Sequence, residues 1–136
     1  MTRILVLGAS GLIGHKLYEK LTERFGDVWA VLHRDRELFS GCGLFDGETV
    51  IDNVDVSDFK KLEGILHVVN PDVVLNCVGI TKRRPEVNDM LYAIDVNSMM
   101  PHRLAGWAKE NNKRIIHFST DCVFDGSIGN LSLIHI

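Results

Sequence analysis

The chain has 136 residues, of which 46% are apolar and 24% are charged, as expected for one folded domain rather than a disordered segment. The net charge of −3 gives no electrostatic reason to expect a nucleic acid or an anionic membrane as partner. No apolar run reaches the roughly 18 residues that a membrane span requires. The start MTRILVLG lacks a signal-peptide pattern, and three cysteines without paired spacing indicate a reducing, cytoplasmic setting.

Short apolar runs alternate with helical patterns, which predicts a parallel sheet covered by helices on both faces. The first strand, at 3–8, is a nearly continuous apolar run, as expected for a buried central strand. Ile13, Leu17 and Leu21 then recur at helical spacing before Gly26. Residues 36–48 are predicted to form a loop with at most one helical turn. The remaining strands are predicted at 27–34, 49–56, 72–79 and 113–119.

Two more helical regions continue the alternation. Ser57 and Asp58 open one that covers 57–69. The other extends from about 88 to 112 and contains Pro101, which either bends the helix or begins a second segment. With two segments there, the sequence predicts five strands and four helices in strict alternation.

The first strand ends in GASGLIG, whose three glycines lead directly into a helix. A bound phosphate requires close backbone approach and inward N–H groups, which larger side chains obstruct. Three spaced glycines are a weak signal by themselves, but at a strand-to-helix turn of an alternating chain they predict a dinucleotide site. The alternative is a turn that is only rich in glycine. The residues predicted to bind the cofactor here are Gly8, Ser10, Gly11, Leu12, Ile13 and Gly14.

The second strand ends about 20 residues beyond the last glycine, where dinucleotide-binding domains contact the adenosine ribose. An acidic residue there would bind the 2′-hydroxyl of NAD, but this chain has HRDR at 33–36. The guanidinium of Arg34 suits a 2′-phosphate, so NADP(H) is the preferred cofactor. Asp35 leaves NAD(H) possible if the strand ends one residue later. Charges that only solvate a strand end are the structural alternative.

The chain resembles the extended short-chain dehydrogenase/reductases, most of all the dTDP-4-dehydrorhamnose reductase group and related sugar-nucleotide reductases and epimerases. The resemblance rests on GASGLIG, Asp55-Val56, NCVG at 76–79 and STDCVFDG at 119–126. It implies an α/β fold with a Rossmann-like doubly wound parallel sheet, and an NADP-binding domain over 1–130. The family's C-terminal strands and substrate region are expected to lie beyond this chain.

The resemblance also implies roles for residues at two strand ends. Asp55 resembles the carboxylate that contacts the adenine amino group, with Val56 packing beside the ring. Cys77, Val78 and Gly79 stand in the segment whose backbone passes along the cofactor ribose. Two structural alternatives remain open, because Asp55 could cap the following helix and Cys77 could be only a small buried side chain.

Thr120 matches the Ser/Thr of the family's catalytic set, which hydrogen-bonds the substrate carbonyl or hydroxyl; it could also be a turn former. The family further requires a tyrosine that moves the proton and a lysine four residues later. Tyr18 is followed four residues later by Thr22 and Tyr92 by Val96, so the pair is missing. The chain is therefore expected to be a fragment without turnover of its own.

The final segment LSLIHI, residues 131–136, lies where the resemblance stops. It resembles the in-frame translation of a mosaic-end adapter used in sequencing libraries, which predicts a non-native tail. A natural apolar strand from a divergent relative is the alternative.

The leading hypothesis for the parent protein is an NADPH-dependent reductase of a 4-keto sugar nucleotide. A sugar-nucleotide epimerase or epimerase-reductase shares the same cofactor site, and a non-catalytic NADP(H)-sensing protein is a rival from another class. No metal site is expected because the six histidines are scattered. The expected partner is the sugar nucleotide, with no nucleic acid and no membrane, and the intact protein could form a homo-oligomer.

Overall fold

The computed structural model describes residues 1–81 and 88–120. Within them five parallel strands form one sheet in the order β3-β2-β1-β4-β5. The order reverses between β1 and β4, and in such sheets ligands bind outside the carboxyl ends of the strands at this position. The predicted Rossmann-like α/β fold is confirmed. The strands are β1 (Ile4–Leu7), β2 (Val28–Val31), β3 (Val50–Ile51), β4 (Val73–Asn76) and β5 (Arg114–His117).

Helices cover both faces of the sheet. Alternate residues of each strand point to opposite faces, so each strand contributes side chains to the core on both sides. Leu5 and Leu7 of β1 belong to the core under the helices at Phe59–Val69 and Met100–Glu110, whereas Ile4 and Val6 pack in the core under the helix at Leu12–Arg24. No helix in the described ranges is long and apolar enough to cross a membrane. The helices are α1 (Leu12–Arg24), α2 (Phe59–Val69), α3 (Met90–Ile94) and α4 (Met100–Glu110).

The third strand is much shorter than the predicted 49–56. Only Val50 and Ile51 pair with β2, because Asn53 adopts the left-handed conformation with φ of 54° and interrupts the ladder. The chain then returns to the sheet, where Val54 N–H donates to the carbonyl of Leu32 over 3.0 Å. This interruption places residues 54–56 at the carboxyl end of the sheet.

The segment predicted as a loop at 36–48 contains a 3₁₀ helix over Arg36–Cys42. Its N-terminus is capped by Asp35, whose carboxylate accepts a hydrogen bond from the N–H of Glu37 over 2.9 Å. It ends at Gly43, which has a φ of 63°. The local signals that the prediction missed are this acidic cap and the glycine that terminates the segment.

Pro101 lies in the first turn of α4, as expected if it begins a second segment, but no break in the helical backbone precedes it. The backbone remains helical from Met90 through Glu110, with a π-helical turn over Asp95–Met99 just before the proline. Proline cannot donate a hydrogen bond, and its ring crowds the carbonyl four residues earlier. The wider π turn accommodates both effects, and it carries Asn97, which contacts the candidate site.

Candidate functional site

Gly8 turns the chain out of β1 with a φ of 72°. Its N–H and that of Ala9 both donate to the carbonyl of Val31 over 3.1 Å, which ties the turn to the end of β2. A Cβ at Gly8 would lie 3.0 Å from Cγ2 of Val78 and 3.2 Å from the carbonyl carbon of Cys77. Glycine is therefore required here by both the backbone conformation and the proximity of the β4 exit.

Helix α1 packs closely against this turn through Gly14. A Cβ on Gly14 would lie only 2.1 Å from the carbonyl oxygen of Gly8, so no larger residue fits without moving backbone. Gly11 precedes the helix, and no side-chain cap satisfies its first N–H groups within the described residues. Leu12 and Ile13 begin the helix with exposed side chains. At a helix N-terminus without a side-chain cap, such N–H groups and the positive end of the helix dipole favour a negatively charged group.

A groove of about 140 Å³ opens at the carboxyl ends of β1, β2 and β4. It brings together most residues predicted from the glycine turn and from the third and fourth strand exits. Apolar side chains form much of its wall, and the polar side chains are few, as in many small-molecule sites. The lining residues are Gly8, Ser10, Gly11, Val31, His33, Val54, Val56, Cys77, Val78, Gly79, Ile80, Tyr92 and Val96.

Arg34 and Thr120 do not line this groove. Arg34 is exposed after β2, and it forms no hydrogen bond or ion pair within 1–81 and 88–120. Thr120 is exposed just beyond the end of β5. The part of the predicted catalytic motif beyond Thr120, Cys122 within it, residues 82–87 and the predicted tail at 131–136 all lie outside the described residues.

The other charges after β2 have structural partners. Arg36 Nε donates to the carboxylate of Asp52 over 3.0 Å, and its other nitrogens bind the carbonyls of Gly47 and Val50. Hydrogen bonds from the backbone N–H and from the side chain of Arg36 lower the pKa of Asp52. Asp35 accepts the bond from Glu37 described above. Of the three charged side chains at 34–36, only that of Arg34 is left without a partner in the described part of the chain.

Asp55 is half-buried beside the groove. Its Oδ1 accepts hydrogen bonds from the N–H of Ser57 over 2.9 Å and from the hydroxyl of Tyr92 over 3.1 Å. Burial opposes ionisation, but these hydrogen bonds and the nearby His33 outweigh it and hold the pKa of this carboxyl below its usual range. The bond to Ser57 N–H agrees with the structural alternative of a turn at this helix entry, and Asp58 provides the cap of α2 itself.

Asn76 and Asn97 hold the segment after β4 in place by hydrogen bonds. The fully buried Asn76 accepts from the N–H of Val78 over 3.1 Å and contacts Nδ1 of His117 over 3.0 Å. Asn97 accepts from the N–H of Ile80 over 2.8 Å and donates to its carbonyl over 3.0 Å. The π turn thus holds the groove wall through a paired amide contact that sequence reasoning missed.

Cys77 lies on the groove wall with its thiol half-buried, and burial raises its pKa to about 11. A thiol with this pKa is almost entirely protonated at neutral pH and is a poor nucleophile. The interpretation of Cys77 as a small packed side chain is therefore compatible with its place at the groove, where its backbone lies beside Gly8.

Tyr92 and His33 are groove residues that the sequence analysis did not select. The sequence presents Tyr92 only as a tyrosine without a lysine four residues later, and its partner Asp55 is 37 residues away in the chain. His33 stands in the sequence only as part of a charged strand end. The helical spacing of Tyr92 and Val96 places both on one face of the helix and was the one signal available.

Comparisons with known proteins identify the family of the chain. A family model described as the RmlD substrate binding domain matches residues 1–131. The probable low-salt glycan biosynthesis reductase Agl14 of Haloferax volcanii is 32% identical over 126 residues, which cover 89% of this chain and 38% of that protein. The methionine adenosyltransferase 2 subunit beta of Danio rerio is 31% identical, with 91% of this chain and 34% of that protein covered.

Among solved structures, a hypothetical dTDP-4-dehydrorhamnose reductase from Sulfolobus tokodaii is 28% identical with a TM-score of 0.79. The match covers 97% of this chain and 44% of that one. The chain spans little more than a third of the length of the two curated relatives, 38% and 34%. Because the family model covers nearly all of the sequence, the chain belongs to the RmlD substrate-binding-domain family, in a region homologous to the N-terminal part of sugar-nucleotide reductases.

Proposed function

We propose that this chain forms the NADP(H)-binding part of an NADPH-dependent reductase that acts on a 4-keto sugar nucleotide. The observation that most supports this is the glycine turn, because two of its glycines occupy places that a Cβ would fill and the helix behind it begins without a side-chain cap. A pyrophosphate fits a helix N-terminus approached closely by backbone. The residues present therefore fit a dinucleotide.

In this proposal each wall of the groove binds one part of the cofactor. Gly8, Gly11 and the N–H groups of Leu12 and Ile13 hold the pyrophosphate, together with Ser10, while Gly14 keeps the helix close. Asp55 and Val56 contact the adenine, and the backbone of Cys77, Val78 and Gly79 passes along the ribose. When bound, the nicotinamide supplies the hydride. Thr120 orients the carbonyl of the sugar.

Arg34 supports NADP(H) over NAD(H). Its guanidinium is exposed after β2 and has no partner in the described part of the chain, so it is available to a 2′-phosphate. Asp35, which would otherwise bind a 2′-hydroxyl, uses one oxygen to cap the 3₁₀ helix. Arg36 is held by Asp52 and two carbonyls, and is not available in the same way.

The sugar-nucleotide substrate is supported by relatives rather than by this chain's own pocket. A probable dTDP-4,6-dihydroxy-2-methyloxan-3-one 4-ketoreductase of Streptomyces antibioticus is 28% identical over 125 residues, and the Haloferax relative is also named a reductase. We place the tyrosine and lysine of the reaction in a further part of the parent protein. An epimerase would share the same cofactor site.

A second candidate is a nucleotide-binding subunit without redox catalysis. The similarity to methionine adenosyltransferase 2 subunit beta favours it, since that relative is named as a subunit and is 31% identical. The residues that an intact gene encodes at the tyrosine and lysine positions distinguish the two candidates. A tyrosine with a lysine four residues later supports the reductase, and any other pair supports the subunit.

The cofactor proposal is tested by titrating the chain with NADPH and NADH in a calorimeter. We expect NADPH to bind about tenfold more tightly, because a charge-assisted contact to the 2′-phosphate is worth about 1.5–3 kcal/mol. Arg34→Ala should remove this preference and leave NADH binding unchanged. Arg114→Ala, an exposed arginine at the opposite end of the sheet, is the matched control.

Two results would contradict the proposal in different ways. Equal binding of NADPH and NADH by the unsubstituted chain would show that Arg34 does not select a 2′-phosphate. Failure to bind either dinucleotide would overturn the cofactor site itself. We further expect no oxidation of NADPH when a 4-keto sugar nucleotide is added to this chain alone, because neither tyrosine has a lysine four residues later.

A further inference from the structure

The contact between Tyr92 and Asp55 joins helix α3 to the exit of β3. The two residues are 37 positions apart, and the phenol donates to Oδ1 of the carboxylate over 3.1 Å. Ser57 N–H donates to the same oxygen over 2.9 Å. Both of these hydrogen bonds are made to Oδ1, and the side chain of Ser57 adds a further interaction that favours the ionised carboxylate. Oδ2 is the oxygen that neither of the two hydrogen bonds occupies.

The ring of Tyr92 also forms part of the groove wall. Val54 and Val56, the neighbours of Asp55 on both sides, line the same groove, as does His33 from the end of β2. The hydroxyl of Tyr92 therefore reaches Asp55 from the groove side of the helix. A planar base that enters between these apolar walls would meet a carboxylate whose orientation depends on the tyrosine.

We propose that Tyr92 is a positioning residue for the adenine of the dinucleotide, orienting Asp55 so that Oδ2 accepts a hydrogen bond from the 6-amino group. This inference rests on the proposed function, because it presumes that the groove binds an adenine dinucleotide. It goes beyond that function in assigning base discrimination to a residue on α3. The low pKa of Asp55 is consistent with it, since an ionised carboxylate accepts from an amino group at neutral pH.

A role of Tyr92 only in packing α3 is the alternative. Helix α3 has five residues, and Met90, Leu91 and Ile94 expose at least half of their surface, so the tyrosine contributes to holding this helix. Loss of such a tether would weaken binding of every ligand of the groove. Loss of orientation at Asp55 would weaken only ligands that carry the amino group.

The experiment compares NADPH with its hypoxanthine analogue, in which a carbonyl oxygen replaces the 6-amino group. The unsubstituted chain should bind NADPH about tenfold more tightly, since the analogue loses a hydrogen bond and turns an oxygen toward the carboxylate. Tyr92→Phe, which keeps the ring, should reduce this ratio to about threefold or less while leaving affinity for the analogue unchanged. Asp55→Asn should abolish the ratio.

Tyr18→Phe is the matched control, because it removes the only other tyrosine hydroxyl, whose contact is Thr49 Oγ1 at 3.4 Å, away from the groove. It should leave the ratio unchanged. If Tyr92→Phe weakens both ligands equally or leaves the ratio intact, the positioning role is wrong. If the unsubstituted chain binds both ligands equally, the inference fails while the cofactor site stands. If it binds neither, both fail.

Discussion

The two ends of the sheet use their polar groups differently. At the amino end the charges are paired with each other: Arg3 Nε lies 2.7 Å from Asp27 Oδ2, Asp72 accepts from Arg3 N–H over 2.8 Å, and Lys113 lies 3.5 Å from Asp72. Trp29 Nε1 completes the group by donating to Asp27 over 2.9 Å. These contacts join β1, β2, β4 and β5, and they serve the fold.

At the carboxyl end, some polar groups are left without a partner among the described residues. Within the described residues the N-terminus of α1 has no side-chain cap and Arg34 has no partner, while both the N–H of Ser57 and the hydroxyl of Tyr92 donate to Oδ1 of Asp55. A bound anion would interact favourably with the helix N-terminus and with the guanidinium. The difference between the ends supports the proposal that the amino end serves stability and the carboxyl end binds the cofactor.

The glycine turn provides the largest expected effect. Gly14→Ala should destabilise the chain by about 3 kcal/mol or prevent folding, because its Cβ would overlap the Gly8 carbonyl oxygen. Gly64→Ala is the control: this glycine lies in α2, where a Cβ meets nothing within 4 Å. It should stabilise the helix by about 0.5–1 kcal/mol. Urea unfolding measures both, and equal losses would contradict the close packing at the turn.

Removing one arginine from each end of the sheet tests whether the two ends have separate functions. Arg3→Ala should lower the free energy of unfolding by about 1 kcal/mol, a modest value because the side chain is 40% exposed and its ion pair is screened by solvent. It should leave NADPH affinity unchanged, whereas Arg34→Ala should weaken NADPH binding and leave stability unchanged. Denaturant unfolding and calorimetry of the two variants decide. If Arg3→Ala weakened binding as much as Arg34→Ala, the ends would not be functionally separate.

Acid should reduce the stabilisation that Arg3 and Asp27 provide at the amino end of the sheet. The hydrogen bond from Arg3 is the main reason that the pKa of Asp27 lies below its ordinary value of 3.8, with Trp29 adding to it against the effect of burial. A folded-state pKa below the unfolded one gives stability that is present above about pH 4 and is lost as the pH falls through the folded pKa. The stability difference between the original chain and Arg3→Ala should therefore shrink below pH 4. A difference that stays constant or grows with acid would contradict this.

The smallest expected effect is a difference between the reaction rates of two cysteine thiols. In a Cys122→Ser background, Cys42 should react quickly with a disulfide reagent at pH 7.5 because it is exposed. Cys77 should react slowly, since burial raises its pKa to about 11. NADPH should slow Cys77 further and leave Cys42 unaffected. Equal rates for the two thiols, measured by mass spectrometry, would contradict the burial of Cys77 in the groove wall.

Local sequence patterns predicted the parts of the fold that depend on neighbouring residues. The turn at Gly8 and the helix after it follow from glycine spacing within a few positions, and both are found. The sequence predicts a strand over 49–56, but the left-handed conformation of Asn53 ends the pairing after Ile51. An edge strand is held on one side only, so a single asparagine suffices to interrupt it.

The contacts that the sequence could not predict are long-range. Nothing in the sequence indicates that Arg36 rather than Arg34 pairs with Asp52, because the choice depends on how the 3₁₀ helix packs. The bond from Tyr92 to Asp55 likewise requires α3 to meet the exit of β3. Both contacts determine which polar groups remain for a ligand. The candidate site could therefore be predicted from the sequence less completely than the fold.

The most direct test of this account is a titration of the ¹⁵N-labelled chain with NADPH, followed by amide chemical shifts. We predict saturable shifts at Gly8, Gly11 and Ile13, with none at Thr2 or Lys113 at the amino end of the sheet. Shifts confined to Thr2 and Lys113, or no saturable shift at any amide, would show that the carboxyl end of the sheet is not the dinucleotide site.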